Sequence, residues 1–168
     1  MQTISLLNEL YGRLAPLVPE VLDGLSPEDL VAPPSDGANT IGWLVWHMGR
    51  VQDHHLADVM GVEQIWTTGS HAASVGLDAD PENNGYGNTY EQVLAVRPES
   101  AAALADYFSA VLRRSIAWIE TLDEAALDRV VDTRWYPPVT LGVRLVSVAQ
   151  DGLEHAGQAA YARGMLGR

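Results

Sequence analysis

The stretch over residues 39–61, NTIGWLVWHMGRVQDHHLADVMG, constrains the fold more than any other part of the chain. Asn39 is a favourable N-cap and Gly61 a favourable helix stop, so the sequence predicts a helix between them. Its apolar residues recur at helical spacing and form one stripe: Ile41, Leu44, Val45, Met48, Val51, Leu56 and Val59. His47 lies on the flank of this stripe, where a partly buried imidazole is expected to have a partner.

Three further segments show the same helical period, at residues 3–23, 100–122 and 140–162. Pro16 and Pro19 predict a kink or a break inside the first of them. Ser100 and Thr140 are the predicted N-caps of the other two, and the last helix is expected to stop at Gly164. No segment shows the alternation of a strand. The sequence therefore predicts an all-α four-helix bundle, in which sites are built from facing helices.

The connections between these helices are irregular. Residues 62–87 are rich in Gly, Asn, Asp, Ser and Thr, which predicts a long loop after the second helix, functional or mobile. Ser26 is expected to cap a short helical turn, and two more short helical pieces are predicted at 89–97 and 122–131. The segment DTRWYPP at 132–138 is predicted to be an extended connection, because its two prolines forbid a helix.

Length and composition predict one ordinary domain over residues 1–168. Apolar residues make up 47% and charged residues 19% of the chain, which is typical of soluble globular proteins. The apolar runs are far shorter than the ~20 residues of a membrane span. The N-terminus lacks the pattern of a signal peptide, so a cytoplasmic protein is expected.

The balance of charged residues and the missing cysteine exclude several functions. A formal net charge of −12 argues against nucleic-acid binding, which requires clustered cationic side chains. The absence of lysine excludes a Schiff-base mechanism. The chain has no cysteine, so disulfides, thiolate metal ligands and a cysteine nucleophile are excluded as well. Any thiol in the chemistry would have to arrive on a small molecule.

A candidate metal-binding pair lies in the last predicted helix. Asp151 and His155 are four residues apart, so their side chains rise from one face about 6 Å apart at Cβ. Glu154 points roughly 100° away around the helix axis, which makes Asp151 the better partner of His155. Both residues sit on the shoulder of the apolar stripe, as His47 does on its own helix. Shoulders of adjacent helices meet at a groove, which favours an open cleft.

Two imidazoles and one carboxylate would supply three ligands and leave a coordination position open, as in catalytic sites. This donor set suits zinc, with nickel, iron and manganese as alternatives. Acid–x3–His pairs are also common on helices as solvated side chains, and a single histidine such as His47 is more often a satisfied core residue. Spacing alone leaves both interpretations open.

The segment TIGWLVWHMGRVQDHH, followed in the last helix by DGLEHAGQAAYARG, resembles the DinB-like four-helix metal-binding superfamily. The closest branch is that of mycothiol-dependent maleylpyruvate isomerase and related thiol S-transferases. The resemblance implies a divalent ion held by His47, Asp151 and His155. Where this chain has Asp151, many members have histidine and the isomerase branch has a carboxylate. Homodimers are frequent in the family, so a homodimer is expected.

The function implied by this resemblance is a metal-dependent transferase or isomerase that acts on a small electrophilic substrate. Its co-substrate would be a low-molecular-weight thiol such as mycothiol. Two alternatives stay open: a non-catalytic dimeric bundle with a vestigial or structural metal, and a metal-dependent hydrolase that uses the same ligands.

Other polar residues rank lower as candidates for the site. His54 is expected at the cleft mouth or on the surface, and His55 is expected to be solvated. His71 is expected in the long loop, where a substrate role has no support from the sequence. Gln158 is placed to form a hydrogen bond with His155.

Arginine and tryptophan complete the set of candidates. Arg50 and Arg144 are the arginines that can face the cleft and hold an anionic substrate. The tryptophans are expected in the core rather than as a stacking platform: Trp43, Trp46, Trp66 and Trp135.

Overall fold

The computed structural model describes residues 2–168, and its framework is a bundle of four long helical segments. In chain order the elements are α1 (Thr3–Gly12), α2 (Leu14–Leu22), α3 (Pro27–Val31), α4 (Ile41–Met60), α5 (Ile65–Thr68), α6 (His71–Ser74), α7 (Tyr90–Ala95), α8 (Ala101–Ile119), a 3-10 helix (Glu124–Asp128), β1 (Val130–Asp132), β2 (Val139–Thr140) and α9 (Leu141–Met165). The broken pair α1–α2 forms one arm of the bundle, and α4, α8 and α9 form the other three. The predicted all-α bundle is confirmed.

The first arm breaks at Arg13, as the prolines predicted. Pro16 has no N–H to donate to the carbonyl of Gly12, and its ring crowds that carbonyl. The first helix therefore ends at Gly12 and the second begins at Leu14, where Pro16 falls in the first turn and is tolerated. Pro19 lies inside α2.

The N-terminal ends of the helices follow the predicted caps with one correction. Ser26, Ser100 and Thr140 each accept a hydrogen bond from a backbone N–H of the first turn. The N-cap of α4 is Thr40, not Asn39, because the Thr40 hydroxyl accepts from the Trp43 N–H at 3.1 Å.

The C-terminal ends of α4 and α9 differ in how well the glycines predicted them. Gly61 ends α4 in the left-handed region, at φ 69°, as predicted. The last helix runs past Gly164 to Met165, and the glycine with positive φ is Gly167. A glycine stops a helix only where the backbone takes that conformation.

The helical bundle also carries one short two-stranded ribbon, which no alternation in the sequence indicated. β1 and β2 form a short antiparallel ribbon in which Val130 pairs with Thr140 and Asp132 with Val139. The segment predicted as an extended connection is the turn of this ribbon. Strands of three and two residues are too short to show a period in the sequence, so only the prolines marked the extended backbone.

The core lies between the four arms, with α4 packed against both α8 and α9. Trp43, Trp46 and Trp66 are buried as predicted, but Trp135 is 66% exposed. It sits in the turn of the ribbon, outside any helix face that could carry it into the core. Among residues 2–168 no helix combines the length and the apolar character that a membrane span requires.

Candidate metal centre

The structure brings His47, Asp151 and His155 together at the seam between α4 and α9. One ligand atom of each residue lies within 4.8 Å of the other two. The Asp151 Oδ1 atom is 3.9 Å from the His47 Nε2 atom and 3.5 Å from the His155 Nε2 atom. Asp151 and His155 share a face of α9 because they are one turn apart, and Glu154 instead accepts a hydrogen bond from Gln150.

The Nδ1 atoms of both histidines lie within hydrogen-bond distance of oxygen acceptors. The Nδ1 atom of His47 lies 2.6 Å from the Asn84 carbonyl oxygen, and that of His155 lies 2.9 Å from the Gln158 side-chain oxygen. Because these oxygens only accept, each Nδ1 carries the proton and each Nε2 keeps a lone pair. Both lone pairs point toward Asp151. The predicted hydrogen bond between Gln158 and His155 is confirmed.

The polar atoms of the His47–Asp151–His155 cluster are suited to bind a divalent cation. The Asp151 Oδ2 atom is buried and has no hydrogen-bond partner among the described residues. A buried carboxylate oxygen without a partner is costly, and a cation would offset that cost. His47 is 4% exposed, and burial lowers its pKa below the usual value despite the opposing effect of Asp151. Interaction of the protonated ring with the Asp151 carboxylate raises the pKa of His155 above its usual value.

Aromatic packing and one glycine fix the orientation of the His47 ring. Trp43 stacks on His47 with ring centroids 4.6 Å apart and an interplanar angle of 12°. At the Nδ1 edge of the ring, Gly85 adopts φ +93°, and a Cβ there would lie 2.5 Å from the His47 Nδ1 atom. Only glycine allows the backbone to approach so closely.

A cleft of about 460 Å³ opens above the cluster, at the helix shoulders where the sequence predicted one. His47 and Asp151 lie at its floor. Its walls come from α4, from the loop at 82–86, from the turn of the ribbon and from α9. The exposed aromatic rings of Tyr86 and Trp135 line it from two different segments.

Comparison with known proteins supports the family assignment drawn from these residues. The sequence profile of the DinB superfamily matches residues 12–159. The chain belongs to the DinB superfamily. A solved crystal structure of a conserved protein from Enterococcus faecalis is 27% identical to this chain and superposes with a TM-score of 0.91, covering 100% of this chain and 99% of that one. No curated protein matches the sequence.

One wall of the cleft in this DinB-superfamily protein carries a charge network. Asp132 accepts hydrogen bonds from Arg134 at 2.8 and 3.0 Å and from Arg144 at 2.9 Å. The bonds from Arg134 are the main reason that the pKa of Asp132 lies well below its usual range. Arg144 faces the cleft, as predicted.

The prediction that His55 is solvated was wrong. His55 is half-buried in the cleft wall, and its Nδ1 atom accepts a hydrogen bond from Arg144 at 3.1 Å. Burial, followed by the positive charge of Arg144, lowers the pKa of His55 to about 4. The ring is therefore neutral near pH 7, with its proton on Nε2.

The two remaining histidines lie in different places. His54 lines the cleft, and its Nδ1 atom lies 3.0 Å from the Pro81 carbonyl oxygen. His71 packs against the ring of Tyr107 at 5.2 Å, in the region between α6 and α8. The structure gives His71 no part in the metal cluster.

The expectation that Arg50 faces the cleft was wrong. Arg50 is 0% exposed, and it donates hydrogen bonds to the carbonyl oxygens of Pro81 and Asn83. The helix α4 is buried around nearly all of its circumference, so an arginine there needs internal partners.

Two residues beside His47, Asn84 and Gly85, lie outside the set that the sequence predicted for the site. The glycine-rich segment at 85–87 indicates a tight turn, but the sequence does not indicate which helix that turn contacts. Asn84 contributes its backbone carbonyl, and Gly85 allows the backbone to lie close to the His47 ring. Neither contribution depends on a side chain that a sequence motif could reveal.

Proposed function

We propose that this protein is a divalent-metal-binding, thiol-dependent transferase or isomerase that acts on a small electrophilic substrate. The observation that carries the proposal is the open three-donor set of two Nε2 atoms and the Asp151 carboxylate, because two of its residues, His47 and Asp151, line a cleft that is open to solvent. Three protein ligands leave coordination space for a reactant, as in catalytic rather than structural sites. The cleft volume lies in the usual range of small-molecule sites, about 300–1,000 Å³.

A divalent ion bound here, zinc being the first candidate, would lower the pKa of a thiol so that a thiolate exists near neutral pH. Since the chain has no cysteine, the thiol comes from a low-molecular-weight co-substrate. In a transfer, the sulfur forms a bond to the electrophilic carbon while the leaving group departs with its bonding electrons and the thiol proton passes to solvent. In an isomerisation the sulfur adds and is later expelled.

The residues of the cleft can orient the substrate. The neutral ring of His55 has its Nδ1 occupied by Arg144, so the remaining N–H on Nε2 is free to donate a hydrogen bond to a substrate oxygen. Trp43 covers the inner face of His47 and keeps water from that side of the cluster. The exposed aromatic rings at the mouth offer flat apolar surface to a ligand.

The test combines metal analysis with a thiol-dependent assay. Purified protein is loaded with zinc, nickel, iron(II) or manganese, and the consumption of 1-chloro-2,4-dinitrobenzene is followed with mycothiol, glutathione or cysteine. We expect His47→Ala to abolish both metal retention and turnover, and His71→Ala, a histidine outside the cluster, to leave both near wild type.

Other outcomes would contradict the proposal. Metal retained without turnover on a panel of electrophiles favours the non-catalytic bundle. Thiol-independent ester hydrolysis favours the hydrolase. Failure to take up any of the four metals removes the enzymatic interpretation altogether.

A further inference from the structure

We propose that Arg50 is a positioning residue for His47, acting through a strap that we define as residues 80–85. The inference deepens the proposed metal function and rests on it for its consequence, the affinity for the ion. Its structural part, that Arg50 sets the orientation and tautomer of the His47 ring, can be tested without any metal.

The guanidinium of Arg50 is committed to the strap. Its Nε atom donates to the Asn83 carbonyl at 2.9 Å, and Nη2 donates to the carbonyls of Pro81 at 2.9 Å and Asp80 at 3.4 Å. Its Nη1 atom donates to the Gln64 side chain at 2.9 Å, and Gln64 in turn donates to the Pro81 carbonyl. A fully buried cation therefore has most of its N–H groups directed at one loop.

The ion pair with Asp53 does not explain this arrangement. Asp53 already pairs with Arg114 and accepts from the Tyr107 hydroxyl, and it accepts from the backbone N–H groups of Ile65 and Trp66. Its separation from the Arg50 Nη1 atom is 3.7 Å, longer than the 2.9 Å bonds to the strap. The strap carbonyls are thus the principal partners of Arg50.

The strap transmits this anchoring to the metal cluster over one peptide unit. Arg50 holds the carbonyl of Asn83, and the next carbonyl, that of Asn84, accepts from the His47 Nδ1–H at 2.6 Å. Gly85 follows at once, with no room for a side chain beside the ring. The position of the Asn84 oxygen selects the tautomer in which the His47 Nε2 lone pair points to Asp151.

Removing the guanidinium would leave the Asn83 carbonyl without its donor and would leave the Pro81 carbonyl with only Gln64 and His54 beside it. The strap would then shift toward solvent, and His47 would lose the acceptor that fixes its ring. Substitutions of groups that orient a ligand typically lower metal affinity about 10- to 100-fold although no ligand is removed. This is the loss we expect.

The experiment compares Arg50→Met with Arg114→Met. Both remove an arginine that pairs with Asp53, but Arg114 donates to Asp53 and to the Glu63 carbonyl, outside the strap. Zinc affinity is measured by competition with a chromophoric chelator, and the His47 tautomer by ¹⁵N imidazole NMR of the metal-free proteins. We expect Arg50→Met to weaken zinc binding about 10- to 100-fold and to shift the tautomer, and Arg114→Met to retain wild-type tautomer and near wild-type affinity.

Equal losses in the two variants, or wild-type affinity in a folded Arg50→Met protein, would overturn the inference. If Arg50→Met does not fold, Gly85→Ala tests the same link, because it leaves Arg50 in place and displaces the strap from His47 and from the Trp46 ring beside it. Wild-type affinity and tautomer in Gly85→Ala would also overturn it. If wild-type protein binds no zinc, the proposed function fails, while the metal-free tautomer comparison still decides the role of Arg50.

Discussion

At the scale of single residues, the candidate site is defined by which polar atoms have partners. Both histidines use Nδ1 in hydrogen bonds to neutral oxygen acceptors, and both direct Nε2 at Asp151. The remaining oxygen of Asp151 is buried without a partner among the described residues. Such an arrangement costs stability in the metal-free protein and is compensated when a cation binds.

Substituting Asp151→Asn tests this trade-off. The amide removes the negative charge from a side chain whose Oδ2 atom is buried without a partner among the described residues, so the metal-free variant should unfold at the same temperature as wild type or higher. Zinc at about 100 times the wild-type Kd stabilises wild type by about 2.7 kcal/mol, and this gain should largely disappear in the variant. Thermal unfolding with and without zinc measures both effects. A variant that keeps the full zinc-dependent gain would exclude Asp151 as a ligand.

His55 provides a prediction for pH. Its pKa is about 4 in the folded protein and 6.5 in an unstructured peptide, so between these values the unfolded chain binds a proton that the folded chain does not. The free energy of unfolding should therefore fall as pH decreases from 6.5 to 4, and His55 should add no pH dependence above that window. For a half-buried group the loss is about 2 kcal/mol.

The control for this prediction is His55→Gln, which keeps an acceptor for Arg144 but does not titrate. Denaturant unfolding of both proteins in the presence of a chelator should show a wild-type decrease that is smaller in the variant. Parallel curves for the two proteins between pH 6.5 and 4 would contradict the assignment.

At the scale of elements, the helix caps and the ribbon decide where the site residues lie. The N-cap of α4 sets the start of the helix that carries His47, and the ribbon between β1 and β2 carries Arg134 and Trp135 to the cleft. The N-cap contributes to the stability of the fold, because it holds the end of a core helix. In the proposed function the ribbon turn takes part in substrate binding, because it is exposed beside the cleft.

The cap prediction compares neighbouring residues. Thr40→Ala removes the hydroxyl that accepts from the Trp43 N–H and should lower the free energy of unfolding by about 1 kcal/mol. Asn39→Ala, one residue earlier, should change it by less than about 0.5 kcal/mol. Urea unfolding of the two variants measures the difference, and a larger effect of Asn39→Ala would restore Asn39 as the cap.

The ribbon prediction uses adjacent aromatic residues of the same turn. Trp135 is 66% exposed and lines the cleft, whereas Tyr136 is 99% exposed and is not part of the cleft lining within residues 2–168. We expect Trp135→Ala to raise the KM of the thiol-dependent reaction severalfold without changing zinc affinity or Tm. Tyr136→Ala should be neutral in all three measurements. Equal KM values for the two variants would exclude a substrate role for Trp135.

At the scale of the whole molecule, local patterns predicted the arms of the bundle and long-range contacts determined the rest. The periodicity of α4 and α9 placed His47, Asp151 and His155 on helix shoulders, because i, i+4 spacing and shoulders are properties of single helices, and the family resemblance implied that the three residues share an ion. Arg50 was misplaced because its partners lie some thirty residues away in a loop whose path no local rule describes. His55 was misplaced for the same reason, since its partner Arg144 comes from α9.

The homodimer implied by the family resemblance stays a prediction, and it concerns the whole molecule. Sedimentation velocity at micromolar concentration should show a particle of twice the 18.2 kDa chain. A monomer throughout the concentration range would contradict it, without consequence for the metal cluster, whose three ligands come from one chain.

The claim on which the functional account depends is that one ion binds between His47, Asp151 and His155. Its most direct test is a crystal grown with zinc and measured on both sides of the zinc absorption edge. The account predicts one anomalous peak about 2.0–2.2 Å from both Nε2 atoms and from a carboxylate oxygen of Asp151. A zinc-containing crystal with no peak at this position, or with zinc bound only elsewhere on the molecule, would contradict it.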